Sequence, residues 1–432
     1  MTQVQRAGGS APLRPHRSAG PAGGARAARQ QSLRHHNLGL ALRHVMDAPE
    51  PVSRADIAAA TGLTRATVSA LVDRLIAAGL VTELEPVAAQ RAGRPAVPLV
   101  PARGTVAAVG MEVNVDYLGV RAMDLAGRVV TERVELGDFR GSDPVVVLDR
   151  LAQLAGSAVA LLSADGVALV GLALAIPGLV DSDTGPLRLA PNLGWRDVDV
   201  VGMLSAHPVL AGLPPRLANE ANLAARAEAH ARRLTGPSSF VYVSGEVGVG
   251  GAIVLDGQIF AGRHGWSGEI GHTVLGTAGA FGEGGTLESY AGQDAILARA
   301  GLPRTAPLAA LLAAVAAGDA AALAALDVAG AALGAALANV VNVVDVEHVV
   351  LGGIYAELAE HVRDAVTEQL RRRVLSAPWS SVELSVARAG QYPAMTGGAI
   401  SVLESLVDDP AGWAGDESAM PLVAGAPPAR RS

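Results

Sequence analysis

GVGGAIVLDGQIFAG (248–262), WSGEIGHTVLG (266–276) and GEGGTLE (282–288) make up the stretch whose reading decides the fold. Glycine recurs wherever two apolar, strand-like runs must turn sharply or let another backbone approach closely. Few polar groups sit between those turns. Glu269, His272 and Glu288 are the ones that a bound molecule could hydrogen-bond, and Glu269 and His272 stand three residues apart across Ile270 and Gly271. An ordinary glycine-rich hairpin is the competing reading of the same residues.

Outward from that stretch, composition sets the bounds. A chain of 432 residues is longer than one core usually grows, so two or three domains are expected. It has no cysteine, which removes both a disulfide framework and a thiolate metal site. Lysine is absent too, so arginine carries the positive charge, and its planar fork suits phosphates and base edges. Residues 1–103 hold 13 arginines against 6 acids, about +7, and the remainder holds 21 against 35, about −14. A basic front on an acidic body implies that only the front meets a polyanion. The N-terminus lacks the apolar core of a signal peptide. The run 166–180 is short and broken by Pro-Gly, and 306–344 is interrupted by Asp319 and Asp327, so both read as buried elements and no membrane partner is expected. A cytoplasmic location follows by default.

Residues 1–35 have no apolar periodicity and read as a disordered basic tail. From Asn37 the spacing turns helical, with Leu38, Leu42 and Val45 on one face and a stop near Pro49 and Pro51. Ser53 with Asp56 makes a capping-box start for the next helix, and Thr61-Gly62-Leu63 makes a turn. Thr64 then caps a helix over 64–78 whose Val68, Leu71, Val72, Leu75 and Ile76 fall on one face. Its other face and first turn hold Arg65, Thr67, Ser69, Ala70, Asp73 and Arg74, short or forked side chains of the kind that reach phosphates and base edges. This is a helix-turn-helix with 64–78 as recognition helix. The segments after it read as a two-stranded wing with Arg91 and Arg94 at its tip, suited to a narrow minor groove. A small helical protein-interaction domain is the alternative. Ser53, Thr64, Arg65, Thr67, Ser69, Arg74, Arg91 and Arg94 are the candidate DNA-binding residues.

Beyond Pro98 and Pro101, three strands follow within 105–136, then a helix over about 143–163 and a buried strand at 167–176 that ends at Pro177-Gly178. Asn219 and Glu220 end another strand and open a helix. Residues 289–344 form Ala- and Leu-rich helices; strands at 348–354 and 382–387 and a helix from about 397 close the body.

The glycines at 248, 250, 262, 268 and 271, taken together with Glu269 and His272, resemble the ROK family, which contains sugar kinases and sugar-responsive repressors. RADIAAATGLTRATVSALVDRLIAAGLV (54–81) followed by GRP (93–95) resembles the winged helix of the repressors. The resemblance implies a winged helix-turn-helix over 36–102, two actin-like α/β lobes over 103–409, and a loose tail at 410–432. It implies a sugar cleft formed by Asn192, in PNLGW (191–195), with Asn219, Glu220, Glu269, His272 and Glu288.

The chain also departs from the kinase pattern. Where the kinases carry an acid and then a Gly-Gly-Thr phosphate cradle, this chain has Glu112, Val113, Asn114, Val115 and Asp116. Glu220 replaces the Asp that takes the proton from the attacked hydroxyl, and its extra methylene displaces the carboxylate. Gly279, Phe281 and Thr286 stand where zinc-binding members have cysteines, so no tetrahedral zinc site remains. His272 is then a sugar ligand without metal or a core histidine. The expected function is a sugar-responsive repressor of carbohydrate-utilisation genes with a catalytically inactive kinase-like body. Its expected partners are operator DNA, a monosaccharide or sugar-phosphate effector and further copies of the chain as homodimer or homotetramer, with no cofactor. Two other readings share the fold: a bifunctional sugar kinase with a DNA-binding head, and a regulator that answers to a protein partner.

Overall fold

Residues 22–85, 97–181, 185–276 and 285–414 are described by the computed structural model. The first helix, α1 (Ala22–Asp47), begins before the expected Asn37, so residues 22–35, read from sequence as tail, are helical. Ala and Arg favour helix, and Leu38, Ala41, Leu42 and Val45, all buried, anchor its later turns. Residues 1–21 lie outside the described residues. At α2 (Arg54–Thr61), Ser53 and Asp56 complete the capping box and Gly62 closes the helix at φ +71°. The side chain of Thr64 accepts the Thr67 N–H to start α3 (Arg65–Ala77). Val68, Leu71, Val72 and Leu75 bury the inner face of α3 in one cluster with Leu38, Leu42 and Ile57. Strands β1 (Val81–Glu83) and β2 (Leu99–Pro101) pair antiparallel as the base of the wing. Arg91 and Arg94, expected at its tip, lie outside the described residues.

The first lobe opens with the meander β3 (Val106–Val113), β4 (Tyr117–Asp124) and β5 (Val129–Leu136). Helix α4 (Pro144–Ala164) crosses over to β6 (Ala168–Ile176), parallel to β3. A small sheet of β7 (Leu179–Val180), β8 (Leu187–Ala190) and β9 (Trp195–Val198) follows, then α5 (Val200–Ala206) and β10 (Arg216–Asn219), parallel to β6. Helix α6 (Glu220–Arg232) leads into the second lobe, with β11 (Phe240–Gly245), β12 (Val249–Leu255) and β13 (Gln258–Ile259). Four helices come next: α7 (Glu288–Ala291), α8 (Gln293–Arg299), α9 (Leu308–Ala316) and α10 (Ala320–Val344). The chain closes with β14 (His348–Gly353), α11 (Ile354–Glu357), α12 (Ala359–Arg373), β15 (Glu383–Val386), α13 (Pro393–Asp408) and α14 (Ala411–Ala414). Sheet orders are β10-β6-β3-β4-β5 and, from the equivalent edge, β15-β14-β11-β12-β13. In both, three parallel strands are followed by an antiparallel pair, so the two lobes share one topology.

Among the described residues, α4 and α10 are long and apolar enough to cross a membrane by length and composition. Each instead buries one side in a lobe: Val147, Leu148 and Leu151 in the first, Leu326, Leu333 and Leu337 in the second.

The head is not a bead on a string. Its apolar core runs on into Val106 and Ala108 of β3 and into Leu403, Leu406 and Val407 of α13. Ala411, at the start of the segment read as a loose tail, is buried in the same cluster, so residues 411–414 belong to the fold. Gly39 of α1 faces the end of α13, where an added Cβ would lie 2.9 Å from the Asp408 carbonyl oxygen. An exposed helical Gly→Ala stabilises by about 1 kcal/mol, whereas forcing atoms into a packed contact costs about 1–3 kcal/mol. Gly39→Ala is therefore expected to lower the thermal midpoint of the whole chain, read by calorimetry. A raised midpoint would mean that α1 does not rest on α13.

Candidate functional site

Glycine brings the cleft together. At Gly248 a Cβ would strike the Glu288 carboxylate and lie 2.9 Å from Asn192 Nδ2, so only glycine lets these two side chains approach the β12 edge. Gly268, at φ +98°, lays the Glu269–His272 turn directly on the Gly251 backbone. Both lobes contribute to the result: one cleft is lined by Asn192, Asn219, Glu220, Glu246, Glu269, His272 and Glu288, with Gly178 and the 247–251 turn. All six ligand candidates read from the sequence meet there.

Their states differ. Asn219 caps α6, accepting the Asn222 N–H at 3.2 Å and donating to the Gly178 carbonyl at 3.0 Å, so part of its hydrogen-bonding capacity is spent on architecture. Glu288 likewise accepts the Val249 N–H at 2.9 Å. His272 is exposed on the cleft wall and does not sit in the core. Burial raises the Glu269 carboxyl above its usual range, His272 opposes that shift, and Glu288 adds to it.

Glu246 is the residue that sequence reasoning missed. Its signal was a lone carboxylate in the turn between two apolar strands, beside the close-approach glycines. Asn114 Nδ2 donates to Glu246 Oε2 at 2.5 Å and lies 3.4 Å from Glu112 Oε1. Glu112 is 2% exposed, and its Oε2 has no hydrogen-bond partner. Burial, then the charge of Glu246, pushes the Glu112 carboxyl up to about 8. Burial raises Glu246 as well, and it raises Glu220 further, with Glu246, Glu112 and Glu269 adding to the Glu220 shift. Among the described residues no group of three His, Cys, Asp or Glu side chains could hold a metal ion. Gly279 and Phe281 lie outside them, and Thr286 pairs with Val274 in an isolated bridge.

On the head, Arg65 and Thr67 are exposed at the start of α3, and Ser69 and Arg74 are half-buried. Ser53 and Thr64 commit their hydroxyls to caps, and Thr64 also pairs with Thr67 Oγ1 at 2.8 Å. Asp73 is engaged by Arg54 at 2.7 Å, and Arg54 also binds Glu83. Arg54 thereby fixes the recognition helix against β1. Long-range pairing of this kind has no sequence signature.

The raised Glu112 carboxyl has a stability consequence. The unfolded chain gives up this proton near pH 4.5, and the folded chain keeps it to about pH 8. The group's contribution is fully present below pH 4.5 and is lost as pH rises through 8. A proton held only by the folded form changes stability by about 1.4 kcal/mol per pH unit at most. Glu112→Gln, which cannot ionise, should flatten the fall of the thermal midpoint across that window. A fall as steep as in the unsubstituted chain would assign it to other groups.

Residues 142–405, more than half of the chain, match the ROK family, and residues 39–92 match the MarR family. The chain is 29% identical to the xylose repressor of Caldicellulosiruptor bescii over 269 residues, 61% of this chain and 66% of that protein. It is 26% identical to the xylose repressor of Bacillus subtilis over 383 residues, 88% of this chain and 98% of that one. A solved ROK family transcriptional regulator, a homolog of the E. coli MLC protein, superposes with a TM-score of 0.70 at 27% identity, covering 87% of this chain and 97% of the other. The winged head, the two lobes of like topology and the glycine-built cleft between them are thus those of a member of the ROK family, to which this chain belongs.

Proposed function

We propose that the chain is a sugar-responsive DNA-binding repressor of carbohydrate-utilisation genes whose kinase-like body binds a sugar without phosphorylating it. The observation that carries this reading is the convergence of Asn192, Asn219, Glu220, Glu269, His272 and Glu288 from both lobes into one cleft. The head supports the other half, with Arg65, Thr67, Ser69 and Arg74 on or beside the open face of α3 and a wing base beside it. The xylose repressors it resembles are named for the same pairing of sugar and gene control. Kinase chemistry is disfavoured because the first hairpin has Val113, Asn114 and Val115 in place of a glycine cradle, Glu220 replaces the catalytic Asp, and the chain has no cysteine for zinc. The protein works in the cytoplasm as a homodimer or homotetramer on palindromic operators.

Contact from cleft to head is continuous. Helix α6 starts at the cleft with Glu220 and touches α13, where a Cβ on Gly397 would collide with the Leu223 carbonyl and Arg226 pairs with Glu404. The far end of α13 carries α1 through Leu406, Val407 and the 2.5 Å pair of Arg43 with Asp408. A change of lobe angle on sugar binding moves α6, then α13, then the head.

Two substitutions test the halves separately. Glu269→Gln should keep the fold and operator binding but lose the sugar response, which for couplings of this kind is a 5- to 150-fold change in operator affinity, about 1–3 kcal/mol. A wild-type midpoint and amplitude in a sugar titration of operator binding would put the effector elsewhere. Arg65→Ala should weaken operator binding with unchanged sugar affinity and reduce the salt slope by about one unit. An unaltered slope in mobility shifts across a salt series would remove Arg65 from the DNA contact.

A further inference from the structure

The proposed effector reading leaves open whether the ligand is a free sugar or a phosphorylated one, and the cleft bears on that choice. Glu220, Glu246, Glu269 and Glu288 line it, and no arginine does among the described residues. Residues 182–184 and 277–284, outside the described residues, contain no Arg, Lys or His. Among the described residues His272 is the one basic side chain on the lining, and it stands beside Glu269. The helix N-terminus that opens into the cleft, where a phosphate would find free N–H groups, is already occupied: the Asn219 side chain caps α6 and Glu220 is its first residue.

At the end of the cleft next to the first hairpin, Glu246 is fixed. The Asn114 side-chain oxygen takes up the Asp116 N–H at 3.1 Å, and its amide nitrogen holds the Glu246 carboxylate at 2.5 Å with Glu112 behind it. A phosphoryl group brings a charge of about −1.5 to −2 at neutral pH and needs donors. Carboxylates are acceptors when ionised, and like charges placed face to face are strongly disfavoured. Sugar hydroxyls, by contrast, bring donors.

We propose that Glu246, held in place by Asn114, closes this end of the cleft to phosphoryl groups and thereby selects an unphosphorylated sugar as the effector. The inference rests on the reading that the cleft binds a sugar. It adds to that reading a residue that sets specificity by repulsion. Glu246→Gln keeps the side-chain shape and an oxygen for Asn114 to donate to, and it removes one charge.

The test is calorimetric titration of the full chain and of Glu246→Gln with matched pairs: D-xylose and its 5-phosphate, D-glucose and its 6-phosphate, N-acetylglucosamine and its 6-phosphate. The expected result is that the unsubstituted chain binds one free sugar and discriminates against its phosphate. In Glu246→Gln the ratio of the two affinities should move towards the phosphate by about tenfold or more. The inference is overturned if the unsubstituted chain binds a sugar phosphate as tightly as its free sugar. It is equally overturned if the ratio is the same in both proteins. Silence from every member of all three pairs, in both proteins, would overturn the sugar reading itself and this inference with it.

Discussion

Helix α13 lies against β3 and α6 with almost nothing between the backbones. A Cβ on Gly110 would collide with the Met395 carbonyl, and one on Gly397 with the Leu223 carbonyl. Close approach of this kind leaves no cushion of side chains to absorb a shift, so helix and sheet move together or separate. The other end of the same helix holds the head through Leu403, Leu406 and Val407. One helix thus stands in contact with the first sheet, the helix that opens the candidate cleft and the winged head. The cleft, the lobes and the head have their present relation because α13 is seated on glycine.

The departures from a kinase gather at one end of the cleft. Val113, Asn114 and Val115 replace the glycines of the first hairpin, Glu220 replaces a shorter acid, and Glu246 projects from the second turn. Together they convert an end that would receive phosphates into one crowded with carboxyl groups, whose affinity for protons burial and mutual repulsion raise. Glu112, with one oxygen unpartnered, is the most confined of them. For the proposed sensor this arrangement costs nothing and supplies the discrimination inferred above.

Much of this was legible in the sequence, for identifiable reasons. Capping at Ser53 and Thr64 is local chemistry with a fixed three-residue spacing, and the apolar face of α3 repeats with the helical period, so both appear in a string of letters. The glycine stretch showed that backbones would approach closely, and Glu269, His272 and Glu288 stood out as polar groups among them. For Glu246 the neighbouring sequence offers only a lone carboxylate beside close-approach glycines, which does not say what it meets. Its role comes from Asn114, far away in sequence and joined to it by the meeting of two lobes. Residues 22–35 and 411–414 read as tails because they lack apolar period. The first is carried as helix by the anchored turns that follow, and the second is held by burial of Ala411 against the head. The Arg54 pairings with Asp73 and Glu83 escaped for the same reason as Glu246.

The shared core of head and body also bears on the size of the switch. A coupling of about 1–3 kcal/mol between effector and operator sites corresponds to burying or exposing roughly one apolar side chain, at about 1.5–3 kcal/mol each. Leu38, Leu42, Val45, Leu403, Leu406 and Val407 together represent several times that amount. Complete release of the head would therefore cost far more than a sugar needs to supply, and it would leave apolar surface in water. A re-seating of α1 on α13 that alters the packing of a single side chain is enough. It would also displace a recognition helix at the end of a rigid lever, where the proposed dimer must match two half-sites set by the helical repeat of DNA. The economy of such a switch lies in keeping the interface closed while its angle changes, and the glycine-seated helix with its apolar far end is built to transmit an angle.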